Sequence, residues 1–579
     1  GKFVYCSIME KENIPCKKKV VFVVLALLFV SSALLAMPVS VYAILGFVER
    51  YLGRSLRDPA RWIEIIKHCS FIAMTIIALA VFLGYTKNGR NLAVETRQEL
   101  ASWRRKTDAK RFAIAFAGMI VFYYVCLFKI IGADFYYNDD IWRSYEGSRS
   151  WIGFSRYISD FLSIAIHGSV RLSDIAPLTQ FIAVAIMALA TVLLVAVLRD
   201  GDITVSGLLA CSLLFLSPFF AQNFSYRFDS PYMALAAFFP VVPFLFVANR
   251  RVFFFVSVVS LILCCMCYQA GSSIFILLAM YVALSMWLKK EPGLRALAFG
   301  GIAAAAYLCA MLVFKFLFMN TMENAADSNF STVITLSAVP QNIAAYARNT
   351  LPLFGGIWTK CFLLLSAIGF VIASARNAMR GKIASGVAVV IFIVVGFTLS
   401  FGPYLVFERP LFAPRAMMGF NMLVALVCAG LCGTGGKWRV LPVCCLVYGC
   451  AVFMYAYGTS LAEQKEYQRS RTDMLLSDLG RFADGGEEIG ISFSGTIGLA
   501  DGLRINARNF PLIKQLVTVV PSEGSIWNDD MLNSLGFKCK DGYLHENPGL
   551  PLLLSTYWHD IYGEDGRFFV VLKRHGAVR

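Results

Sequence analysis

Residues 112–133 read FAIAFAGMIVFYYVCLFKIIGA, and the chain continues at once as Asp134-Phe135-Tyr136-Tyr137-Asn138-Asp139-Asp140-Ile141-Trp142-Arg143. The first part is long enough and apolar enough to cross a bilayer as a helix. The second sets two adjacent acids, an arginine three residues on and several aromatic rings where that helix leaves the hydrocarbon. Ionised groups so near lipid are costly. A paired carboxylate kept there points to chemistry at the membrane surface.

The rest of the chain fits that reading. Of 579 residues, 58% are hydrophobic and 16% charged, with a mean hydropathy of +0.64. Soluble domains run nearer about 45–50% apolar and about 25% charged. Apolar runs long enough to span recur, and their unbroken character excludes the alternating strands of a membrane barrel. The formal net charge is +16. The bases cluster in short loops between apolar runs, where they orient helices, so nucleic acid is not among the expected partners. Most of the 16 cysteines sit inside apolar runs, as Cys264, Cys265 and Cys267 do; they read as small hydrophobes, not as a disulfide or zinc framework. Lys17-Lys18-Lys19 before a long apolar run imitates a signal peptide but reads as a first membrane anchor.

About thirteen spans are expected, near 20–48, 69–85, 112–133, 178–198, 203–221, 230–248, 252–267, 271–288, 295–319, 360–375, 383–403, 416–433 and 440–459. The fold class is an all-α polytopic membrane protein, residues 1–459, followed by a small α/β domain, 460–579. Alternate loops carry the bases, among them Arg104, Arg105, Arg199, Arg250, Lys289, Arg380 and Lys437. The positive-inside rule puts this set, and the N-terminus, in the cytoplasm. Loops 134–177, 222–229, 268–270, 320–359 and 404–415, with the tail, then face the periplasm. Loop 49–68 breaks the rule with five bases, and Pro38 interrupts the first span. The basic segment 87–111 is expected to lie against anionic headgroups. Residues 151–167 have the apolar spacing of a helix lying in the interface. In the tail, a helix is expected at 460–483, strands at Ile489–Phe493, Leu516–Val520 and Phe568–Leu572, and a helix near Asn528–Leu535. No Gly-rich phosphate loop follows a strand.

Asp139 and Asp140 have a bland reading as a helix cap or a solvated pair. Against it stand Arg143, Arg156, Asp160, Arg227, Asp229, Tyr268, Gln269, Arg409 and Arg415, all in the same set of loops. Guanidinium groups hold phosphates through paired, charge-assisted bonds, and a carboxylate takes the proton of an attacking hydroxyl. A sugar on a lipid phosphate would need both. The pair could also hold a divalent metal, a weak signal without a nearby histidine. His167 reads as a satisfied interfacial histidine, Lys315 as a snorkelling base, and Glu323 and Asp327 as a solvated face.

The run Asn138-Asp139-Asp140-x-x-Arg143 with Gly147, Trp151 and Arg156, the run Asn223-Phe-Ser-Tyr-Arg-Phe-Asp229-Ser-Pro with Met233, and Tyr268-Gln269-Ala270 together resemble the bacterial type II Gtr proteins, the serotype-converting O-antigen glucosyltransferases. The family often reads Gly-Arg where this chain has Gly153-Phe154-Ser155-Arg156. The resemblance implies a GT-C-type transferase of the inner membrane. Its donor would be undecaprenyl-phosphate-glucose and its acceptor a lipid-linked O-antigen of lipopolysaccharide on the periplasmic face. A donor-synthesising transferase and a flippase would be its partners.

The function expected is sugar transfer by one inverting displacement. Asp139 or Asp140, with a lean towards Asp140, is the base. Arg143 and Arg227 are expected to hold the donor phosphate, with Arg156, Asp229, Tyr268, Gln269 and Arg415 lining the site. The rivals are a transporter or flippase of a lipid-linked saccharide, whose polar groups would sit nearer the midplane, and a transferase of the same architecture with another sugar or a protein acceptor.

Overall fold

The computed structural model of the chain describes residues 84, 86–319, 331–483, 489–541 and 549–574. The expected spans at 20–48 and 69–85, and Glu323 and Asp327, lie outside the described residues, apart from Gly84. The chain runs through α1 (Lys87–Lys106), α2 (Ala109–Ala133), α3 (Asp139–Glu146), α4 (Tyr157–His167), α5 (Leu178–Leu198), α6 (Val205–Leu216), α7 (Phe220–Ser225), α8 (Ser230–Phe238), α9 (Arg250–Cys267), α10 (Ser272–Leu288) and α11 (Gly293–Val313). Strand β1 (Ser331–Ile334), α12 (Val339–Thr350), α13 (Ile357–Arg376), α14 (Lys382–Leu399), β2 (Phe407–Arg409), α15 (Met418–Gly433) and α16 (Val440–Leu479) follow. The tail adds β3 (Ile489–Gly495), α17 (Arg504–Asn509), α18 (Ile513–Leu516), α19 (Asn528–Ser534), β4 (Cys539–Asp541), β5 (Leu552–Ser555), β6 (His559–Glu564) and β7 (Arg567–Leu572).

Eight of the described helices are long and apolar enough to cross a membrane, and three shorter apolar ones lie at 205–216, 230–246 and 418–433. These eleven occupy the last eleven expected spans. The short ones differ from expectation for local reasons. Residues 203–221 were expected as one span, but α6 stops at Ser217, whose backbone is extended, because Pro218 follows and disfavours a helical residue before it. After α8, Pro240 and Pro243 turn the chain into a 3-10 stretch, Phe239–Phe246, by removing helical donors. All but one residue of α15 are buried. It is apolar on every side because it is the centre of the bundle, packed by α6, α10 and α13. Gly458 lets α16 close on α2; a Cβ there would collide with the backbone of Lys129 and Ile130.

The loops sort to two ends. Contacts from Arg143 to Asp229, from Asn223 to the Arg415 carbonyl and from Gln269 to the Phe154 carbonyl gather 134–177, 222–229, 268–271 and 404–417 at one end. Lys106, Arg199, Ala248, Lys289, Asn377 and Thr434 meet at the other. The expected interfacial helix over 151–167 is broken. Ser155 takes a left-handed backbone (φ 59°), dividing a 3-10 turn, Trp151–Phe154, from α4.

The last apolar helix and the expected helix 460–483 are one element. α16 has 40 residues, about 60 Å at 1.5 Å per residue, and its second half carries the tail. There Leu475 and Leu479 pack with Ile491, Ile561, Phe568 and Val570 beneath a five-stranded mixed sheet of order β4-β3-β7-β6-β5. β3 is parallel to both neighbours, pairing Ile491 with Phe568 on β7, whereas β5, β6 and β7 run antiparallel. The strand expected at Leu516–Val520 is absent. Ile513–Leu516 is a helical turn instead, and Leu512, Ile513, Leu516 and Val517 are buried in the core of the bundle. Their apolarity serves docking, not a sheet. α19 rests against α3.

That last contact titrates. Burial first, then Glu146 on α3 and the adjacent Asp529, push the Asp530 carboxyl up to about 6. Below about pH 4 the group is protonated in folded and unfolded chains alike. Between about 4 and 6 only the unfolded chain loses its proton, so this contribution to stability falls and is fully lost above 6. Asp530→Asn should therefore raise the thermal midpoint at pH 7.5 by about 1–3 °C and leave it unchanged at pH 4. Unfolding scans of the detergent-solubilised protein across pH 4–8 check this; parallel profiles for the two proteins would contradict it.

Candidate active site

The chain leaves α2 at Asp134 in a left-handed backbone (φ 48°) and turns again at Asn138 (φ 49°), so α3 begins on the two acids themselves. Gly147 ends α3 with φ +68°, a conformation that costs glycine nothing. Adjacent helical residues point about 100° apart, and Asp139 and Asp140 accordingly have different surroundings.

Asp140 is inaccessible to solvent. Its Oδ2 accepts the backbone N–H of Tyr137 at 3.0 Å and that of Arg227 at 3.0 Å; its Oδ1 accepts that of Phe228 at 3.4 Å. Burial pushes this carboxyl well above the usual range, and the three N–H donors pull it back. The group is a clamp joining the start of α3 to the loop after α7. Asp139 lies in a recess with 42% of its side chain accessible. Burial holds its carboxyl above the usual range; Arg143 pulls it down, Asp229 adds to the rise, and Arg415 and Arg156 again pull down. The lean towards Asp140 as base is thereby reversed: no oxygen of Asp140 faces open space, whereas Asp139 is reachable and faces guanidinium groups.

The four arginines divide in the same way. Arg143 is 2% exposed and is held by Asp229 at 3.4 Å, by the Arg149 carbonyl at 3.1 Å and by the Trp151 ring, 3.9 Å from the guanidinium carbon. Trp151 in turn donates its indole N–H to Asp229. Arg227 pairs with Asp134 at 2.9 Å and Asp174 at 3.3 Å and lies over Tyr136; Lys465 on α16 also pairs with Asp134, at 2.8 Å. The two arginines expected to hold the donor phosphate are thus already engaged with carboxylates. Arg156 and Arg415 have no carboxylate within ion-pair distance among the described residues. Arg156 lies over Tyr268, 4.6 Å from its centroid, and its Nε is buried without a hydrogen-bond partner among the described residues. Arg415 donates to the Tyr226 hydroxyl, while its backbone N–H is fixed by Gln222 at 2.8 Å and its carbonyl by Asn223 at 3.1 Å.

Tyr268 is buried and its hydroxyl has no hydrogen-bond partner among the described residues. Gln269 donates to the Phe154 carbonyl at 2.8 Å and so fixes the turn before Arg156. Asp229 is spent on Arg143 and Trp151. Asp160 faces Arg149 at 3.6 Å. His167 donates its Nδ1–H to the Ser173 carbonyl, 2.7 Å away, and stacks on Phe228. The acids do not fit a metal. Asp140 is taken by N–H donors, Asp139 is ringed by guanidinium groups, and no group of three or more His, Cys, Asp or Glu residues suited to a metal occurs among the described residues. Sequence reasoning missed Asp134, Asp174 and Lys465. Only Asp134, an acid directly after a span, carried a signal of its own.

Fold and site together define a polytopic helical protein with a polar recess at one end of an apolar bundle. The glucosyl transferase GtrII family model matches residues 128–426, more than half of the 579-residue chain, and the chain belongs to this family. The match covers Asp139, Asp140 and the four arginines of the recess, but not Lys465. A Salmonella phage P22 protein, described as an uncharacterized 55.3 kDa protein in the gtrB 5′ region, is 30% identical over 128 residues. That similarity spans 22% of this chain and a quarter of the phage protein's length. No solved structure matches.

Asp139→Asn should abolish activity without loss of folded protein. Asp140→Asn places an amide N–H₂ against backbone donors and should destabilise the fold by about 1–3 kcal/mol, the cost of leaving buried groups unsatisfied. Comparing the thermal midpoints and turnover of the two variants checks the assignment. A stable, inactive Asp140→Asn beside an active Asp139→Asn would reverse it.

Proposed function

We propose that the chain transfers glucose from undecaprenyl-phosphate-glucose to a lipid-linked O-antigen acceptor at the periplasmic face of the inner membrane, as a GT-C-type inverting transferase. The observation that carries this reading is the reachable Asp139 carboxylate beside two arginines, Arg156 and Arg415, that have no acid of their own among the described residues. The acceptor hydroxyl oxygen attacks the anomeric carbon as the bond from that carbon to the phosphate oxygen breaks. Asp139 takes the hydroxyl proton. The bonding pair leaves with the polyprenyl phosphate, whose charge Arg156 and Arg415 balance by charge-assisted hydrogen bonds. The sugar passes through an oxocarbenium-like state, and one displacement inverts the anomeric centre. The raised Asp139 carboxyl suits the base; such catalysis contributes about 100- to 10,000-fold. Arg143, Arg227 and Asp229 act as positioning residues through their ion pairs.

A donor attached to a lipid requires a recess at the bundle end, where a phosphate can sit at headgroup level with its chain in the bilayer. The distribution of basic loops supports a periplasmic recess. A transferase that makes the donor and a flippase that delivers it would be needed upstream.

Reconstituted protein, synthetic polyprenyl-phosphate-glucose and O-antigen-bearing lipid test the reading directly. Arg156→Lys and Arg415→Lys should each weaken donor use by about 10- to 100-fold, the worth of one charge-assisted hydrogen bond of about 1.5–3 kcal/mol, with acceptor KM unchanged. No glucose transfer by the wild-type protein, or full donor use by both variants, would overturn it.

A further inference from the structure

At the end of the bundle opposite the recess, a cavity of about 950 Å³ opens among α1, α5, α10, α11, α13 and α15. α5, 21 residues long and so about 30 Å, separates it from the recess. The cavity has an aromatic floor, with Phe244, Phe299 and Phe370, and Phe370 lies directly on Gly430, where any Cβ would collide with the ring. The rim is basic. Lys106 is satisfied by Asp200 at 2.9 Å and Arg295 by Glu291 at 3.2 Å. Arg199, Arg250 and Lys289 also line the cavity, without an acid in ion-pair distance among the described residues. Against these three stands Glu99.

Arg199 is the informative one. It closes the C-terminus of α5, its Nη2 is buried with no hydrogen-bond partner among the described residues, and its charge acts on Tyr281 and Cys432 from the adjoining helices. A guanidinium nitrogen taken out of water and left unpaired is costly, so the site calls for an anion. The aromatic floor does not suit a hydrated ion, and a lone phosphate would leave most of the volume unfilled. An amphiphile satisfies both halves, and basic pockets between membrane helices at the basic end hold anionic headgroups. We propose that this cavity binds one anionic phospholipid, its phosphate on Arg199 between Arg250 and Lys289 and its chains against Phe244, Phe299 and Phe370.

The full chain, purified in neutral detergent and exchanged into phosphatidylglycerol or phosphatidylcholine, tests this by native mass spectrometry and thermal unfolding. One phosphatidylglycerol per chain should resist delipidation and raise the midpoint, phosphatidylcholine should do neither, and Arg199→Gln should weaken retention at least tenfold. Arg250→Gln and Lys289→Gln alter exposed side chains and so spare the fold; together they should weaken retention as well, which keeps the test decisive if Arg199→Gln does not fold. Equal retention of the two lipids, retention unaffected by the substitutions, or equal protection by inorganic phosphate alone would overturn the proposal.

Discussion

The Asp140 carboxylate accepts backbone N–H groups from Tyr137, Arg227 and Phe228, and the polar end of the molecule is built around that junction. Two loops far apart in sequence are tied at one buried acceptor. The tie sets where Arg227 and Asp229 emerge, and Asp229 then fixes Arg143 and Trp151. With Asp140 turned inward, helical geometry turns Asp139 towards the recess. A solvent-exposed carboxylate could not do this work, because water would compete for the same donors; the clamp depends on burial.

A second consequence concerns charge. Four arginines near one recess would repel a fifth cation and each other. Pairing Arg143 and Arg227 with Asp229, Asp134 and Asp174 removes two of them from the balance. The surplus is left on Arg156 and Arg415, the positions proposed to receive a lipid phosphate. Lys465 brings α16 into the same network through Asp134, so the helix that carries the tail is fastened to the loop that carries the acids.

Much of the helical layout was legible, because spans announce themselves by length and hydropathy: α2, α5, α9 and α10 lie within a few residues of where the runs place them. Misreadings came where one property has two causes. Residues 203–221 are apolar because they fill the centre of the bundle, and Pro218 ends their helix early. Leu516–Val520 is apolar because it docks on the bundle, not because it pairs in a sheet. At the candidate site the residue types were legible and their partnerships were not. Nothing in Asn138-Asp139-Asp140 says which acid turns inward, since that depends on donors 87 and 88 positions away. Likewise, Arg143 and Arg156 look alike until Asp229 is seen to take one of them.

The clamp can be measured without reference to any substrate. Hydrogen exchange followed by mass spectrometry on peptides spanning residues 224–230 reports the two amides that Asp140 accepts. The account predicts strong protection of the Arg227 and Phe228 amides in the wild-type protein, lost by at least about tenfold in Asp140→Asn and kept in Asp139→Asn. Equal protection in both variants, or its loss only in Asp139→Asn, would contradict the division of the two acids on which the structure of the site rests.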